Sequence, residues 1–181
     1  MAIENFIRVQ VEPMVEKYFS NFYPLKNGAP VIELTDRLFL DSSILNFIKN
    51  HGRKYFNHIP KKGSSMLVLK TKGVLGTIGL DSTSSAALGL YFLRYVREKL
   101  VQETFYYQSL PGISVTEAIF IVFAKYDMGE YREDTFRRFF DRSVKNSSFS
   151  TDDLAFNRRI NEALKKIYDE KYVEYLDSLG S

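Results

Sequence analysis

The sequence predicts an α+β fold: a helix-dominated single domain with a small antiparallel sheet or hairpin at about residues 31–40 and 66–80, and a long C-terminal helix. Three observations carry that expectation. Apolar residues alternate at 31–40 and form two short runs at 66–71 and 74–80, as strands do. From residue 81 onward they recur with helical spacing instead. No linker splits the 181 residues, a length that suits one core.

The first twenty residues show two patterns. Ile7, Val9 and Val11 alternate like a strand, whereas Phe6, Met14, Val15, Tyr18 and Phe19 suit a helix face. Pro13 fits the first position of a helix running to about Asn21, where a missing N–H costs nothing. Pro24, Asn27-Gly28 and Pro30 then mark a loop. Over Val31 to Leu40, Ile32, Leu34, Leu38 and Leu40 point one way and Glu33, Thr35 and Arg37 the other. Asp41-Ser42-Ser43 supplies a cap for a helix from Ile44 to about Phe56. The runs Met66–Thr71 and Val74–Leu80 read as a hairpin turning at Lys72-Gly73.

Asp81 to Ser84 offers N-caps for the next helix. Its stretch from Ala86 to Val96 is apolar nearly all round and is expected to be buried. That helix runs to about Tyr106 and stops before Pro111-Gly112. Ser114 and Glu117 have the spacing of a capping box, opening an apolar helix through Tyr126, and Gly129 breaks it. Glu130 to Val144 forms a helix pairing Glu133 with Arg137 and Asp134 with Arg138. Asp152 to Leu179 is the long last helix, its stripe running from Leu154 through Ile160, Leu164 and Ile167 to Leu179.

Composition narrows the function. Without cysteine the chain has no disulfide, thiolate nucleophile or thiolate metal site, which fits a reducing compartment. The N-terminus lacks the basic and apolar regions of a secretory signal. Its longest apolar stretches fall well short of the roughly 20 residues of a spanning helix. The expected setting is intracellular, cytoplasmic or within a viral particle assembled there, with no membrane contact and no cofactor.

Charge is unevenly spread. Residues 42–80 carry seven cations (Lys49, Arg53, Lys54, Lys61, Lys62, Lys70, Lys72) and no acid, while the segments on either side are slightly negative. On the predicted helix, at about 100° per residue, Ile44, Phe47, Ile48 and Tyr55 share one face. Asn46, Asn50, Arg53 and Asn57 lie opposite, flanked by Lys49 and Lys54. Asn and Arg pair bidentately with adenine and guanine edges, and clustered cations bind phosphates. The ten residues Asn46, Lys49, Asn50, Arg53, Lys54, Asn57, Lys61, Lys62, Lys70 and Lys72 therefore form a candidate surface for DNA or RNA, with Lys70 and Lys72 near a hairpin tip. An ordinary solvated helix face would carry the same residue types.

Other chemical signals are weaker. Gly73, Gly76 and Gly79 precede a helix but match no phosphate-loop spacing, and Asp81 would repel an anion there. His51 and His58 stand seven apart with no carboxylate or cysteine beside them, too few ligands for a metal. No nucleophile elbow occurs. Modest size, the missing catalytic signature, the long terminal helix and the 15 Phe and 12 Tyr together favour a non-enzymatic structural subunit. It is expected to assemble with other protein subunits, like or unlike, and a viral or phage particle is one concrete setting. Nucleic-acid binding through residues 42–80 is the alternative.

Overall fold

A computed structural model describes residues 4–34, 39–54, 59–72, 78–129, 131–146 and 177. Among them are β1 (Glu4–Gln10), α1 (Pro13–Ser20), β2 (Leu25–Lys26), β3 (Ala29–Glu33), α2 (Phe39–His51), β4 (Arg53–Lys54), β5 (Met66–Lys72), β6 (Ile78–Gly79), α3 (Ser82–Gln108), α4 (Val115–Lys125) and α5 (Glu133–Asn146). The fold class is α+β, with five helices among the described residues. The helix expected over 152–179 lies outside the described residues, apart from helical Asp177.

The chain divides into two compact units, residues 1–98 and 99–181, and α3 contributes residues to both. The first contains the sheet, in the order β1-β5-β3-β2. It is mixed rather than antiparallel: β5 runs antiparallel to β1 but parallel to β3. A strand and then a helix form in the first twenty residues, with Phe6 in the strand rather than on the helix face and Val11 outside it. Ile7 and Val9 alternate into the core from β1, and Pro13 opens α1. Cross-strand rows Ile7–Leu69–Ile32 and Val9–Leu67 are buried on one sheet face. Met14, Val15 and Phe19 are buried along α1, which contacts β3 and β5.

Two turns correct the sequence reading. Asn27-Gly28 is not an open loop but the turn of the β2–β3 hairpin, with φ of 53° and 82°. Asn-Gly tolerates two successive positive φ values, which makes it the stronger hairpin signal. Residues 73–77 of the hairpin expected at Lys72-Gly73 lie outside the described residues, and the described Ile78–Gly79 pairs with β4 rather than β5 in a separate two-stranded sheet. The strand ends at Glu33, and Phe39-Leu40 already belong to α2, so the expected cap at Asp41–Ser43 falls inside that helix.

The first part of α3 is not buried all round. Leu88, Phe92, Leu93 and Val96 face the core, but Leu90 is 66% exposed and Tyr91 40%. Tyr95 stacks on Phe19 at a centroid distance of 6.2 Å. Burial, with lesser contributions from Tyr23 and Tyr91, pushes its hydroxyl up to about 12. In the unfolded chain it ionises near 10.0, so the native state is favoured below that pH and loses this advantage as the pH rises through about 12. Alkaline unfolding of Tyr95→Phe should lack that component; an unchanged pH profile would show the hydroxyl to be hydrated.

In the second unit, the capping box forms as expected. The Glu117 N–H donates to Ser114 Oγ (3.2 Å) and the Ser114 N–H to Glu117 Oε2 (2.8 Å). These bonds hold the Glu117 carboxyl below its usual pKa. Ile119, Ile121, Val122 and Phe123 of α4 are buried, and Phe123 meets Phe136 of α5 at 5.2 Å. Arg137, expected to pair with Glu133, donates to Thr116 Oγ1 at 3.0 Å.

Candidate nucleic-acid interface

The expected reading helix is shorter than its sequence pattern. It ends at His51; Gly52 follows, where any Cβ would lie within 3.0 Å of Ile78 Cγ2 and the Ile48 carbonyl oxygen. Ile44, Leu45 and Ile48 are buried, whereas Asn46, Lys49 and Asn50 are exposed. Three of the expected polar residues therefore share an open helix surface.

Arg53 and Lys54 do not continue that surface. They form β4 and pair with Gly79 and Ile78, because the chain leaves the helix at Gly52 and joins a strand ladder. The Arg53 side chain is 70% exposed and lies 3.6 Å from the Asp81 carboxylate. Asp81 also accepts from the Ser84 N–H at 2.7 Å and so caps α3. Hydrogen bonds from Ser84, backed by Arg53, hold its carboxyl below the usual value. Asn57 and the other expected residues of 55–58, His58 included, lie outside the described residues.

Lys70 and Lys72 are not at a hairpin tip. Both belong to β5, a strand with partners on both sides, and Lys72 stands opposite Glu4 in the register. Lys70 Nζ lies 2.8 Å from Glu4 Oε1. That hydrogen bond raises its pKa, with help from the charges of Glu4 and Glu33. A segment acid-free along the chain thus meets acids from β1 and the start of α3 in space. Lys61 and Lys62 remain exposed, and the Lys61 carbonyl accepts from the Ser64 N–H and hydroxyl in a turn.

Of the three glycines considered for anion binding, Gly73 and Gly76 lie outside the described residues and Gly79 belongs to β6. His51 packs against Phe47, ring centroids 4.6 Å apart. Among the described residues no group of three or more His, Cys, Asp or Glu is placed to hold a metal. No helix among them is long and apolar enough to cross a membrane.

Two features escaped the sequence reading. Glu103, on α3, accepts from Lys125 Nζ and, at 2.7 Å, from the Tyr126 hydroxyl, and all three side chains are buried. Its signal was positional: Glu103 shares the helix stripe of buried Leu100 and Tyr107. The other is a groove of about 290 Å³ on the sheet, whose lining includes Phe6, Arg8, Lys26 and Val68. Comparison of the chain with protein-family models, curated proteins and solved structures returns no match.

Proposed function

We propose that the protein is a non-enzymatic subunit that works by docking against other protein subunits in a larger assembly, a viral or phage particle being one setting. The observation that carries this is the incomplete burial of α3. Its apolar sequence calls for cover on every side, yet Leu90 and Tyr91 are left in water. Beside Leu90 runs a groove of about 350 Å³ whose lining includes Gln10, Glu12, Ser85 and Leu93. Ser85 is 1% exposed and its hydroxyl has no hydrogen-bond partner, a group that a docked peptide backbone would satisfy.

A second copy of the chain is the simplest occupant, since a two-fold contact needs only one patch. The mass of the purified protein should rise with concentration. Leu90→Glu should prevent that rise while changing stability by no more than about 0.5 kcal/mol, as expected of a surface substitution. A wild type that stays monomeric throughout and purifies without partners would overturn the reading.

The exposure of Asn46, Lys49, Asn50, Lys61 and Lys62 favours a second reading, nucleic-acid binding. Affinity should then fall with salt, and Lys61→Glu with Lys62→Glu should weaken binding to all sequences alike. Binding untouched by that double reversal would exclude these lysines.

A further inference from the structure

We infer that the sheet face opposite α1 binds single-stranded nucleic acid, with one base seated in the groove at Phe6 and phosphates held by Arg8 and Lys26. This rests on the nucleic-acid reading and moves its centre from α2 to β1. Successive side chains of a strand point to opposite faces, so Phe6 and Arg8 lie together on the face away from Ile7 and Val9. Met66 and Val68 of β5 extend the same face and, with Phe6, line the groove. At about 290 Å³ it stands at the lower edge of ligand pockets, room for a single ring system rather than an extended ligand.

Charge selects the occupant. Among the described residues no acid lines the groove, while Arg8 and Lys26 do. Lys70 stands opposite Phe6 in the register on one side and Glu33 on the other, and Glu4 neutralises it. Lys26 Nζ sits 4.3 Å from the centroid of the Phe6 ring, so a cation and an aromatic face are already paired at the mouth. A nucleotide offers both complements at once: a base to lie on the ring, and a phosphate for the ammonium.

The surroundings favour a strand over a free nucleotide. Ile59 and Pro60 line the groove, and the chain leads directly from them into exposed Lys61 and Lys62. Cations therefore continue past the pocket, as a succession of phosphates requires.

The test is anisotropy of labelled single-stranded DNA and RNA oligonucleotides, titrated with the full chain over a salt series. Duplex, mononucleotide and inorganic phosphate serve as competitors. Phe6→Leu keeps an apolar floor but removes the stacking face, and should weaken binding roughly tenfold. Arg8→Gln with Lys26→Gln changes side chains at the groove mouth, and should make the salt slope shallower by about 1.4, or 0.7 for each phosphate contact. Lys145→Gln, at an exposed cation of α5, should leave both quantities unchanged.

Binding retained in the Phe6 and Arg8/Lys26 variants but lost with Lys49→Gln or the Lys61/Lys62 reversal would overturn the groove and leave the nucleic-acid reading on another surface. Displacement by mononucleotide or phosphate as readily as by oligonucleotide would overturn the strand, as would a preference for duplex. Failure of every oligonucleotide to bind at low salt would overturn both the groove and the broader reading.

Discussion

Alanine in place of Glu103 is expected to destabilise the protein by about 3–5 kcal/mol, the usual cost of leaving one charge of a buried pair without its partner. The Glu103 carboxylate accepts from Lys125 and Tyr126, and its side chain is 1% exposed beside a Lys125 side chain 6% exposed. Removing the acid takes away the buried carboxylate to which an ammonium and a hydroxyl both donate. A compensated variant separates that penalty from lost packing. Glu103→Leu with Lys125→Met and Tyr126→Phe removes all three polar groups and should recover most of the loss, since apolar replacement of a buried ion pair is often neutral. Equilibrium denaturation measures both effects. A single-variant loss below about 1 kcal/mol, the range of solvated surface pairs, would show the pair to be hydrated.

What was legible in the sequence is what local chemistry decides. Pro13, the Ser114–Glu117 box and the acid at 81 each act within a few residues, and each marks a helix start in the structure. Where strands pair is decided farther away. Lys72-Gly73 resembles a turn, but β6 pairs with β4 across a long separation, and no local pattern reports that choice. Gly52 was equally silent, because the reason a side chain cannot stand there is Ile78, on another strand.

The candidate site shows the same limit. A charge run is a property of the chain, whereas potential is a property of space, and Glu4 and Asp81 reach Lys70 and Arg53 from outside the run. The groove at Phe6 was hidden for a related reason. Its residues come from β1, the β2–β3 hairpin, β5 and the segment at 59–60, so no stretch of sequence brings them together.

Aspartate in place of Ile121 is expected to abolish cooperative folding of the second unit. Ile121 is 3% exposed and sits on α4 among buried Ala118, Ile119, Val122 and Phe123. A carboxylate there takes the place of an apolar side chain among buried apolar neighbours, so it must stay charged in that core or take up a proton. Either costs several kcal/mol, on the scale of the roughly 5–15 kcal/mol that holds a domain together. The neighbouring Phe120, 49% exposed on the same helix, provides the contrast. Phe120→Asp gives up surface ring contacts but keeps its charge in water, so it should remain folded with a much smaller loss. Thermal unfolding followed by circular dichroism distinguishes the pair. A cooperative transition for Ile121→Asp close to that of Phe120→Asp would show that α4 lies at the edge of its unit rather than in its core.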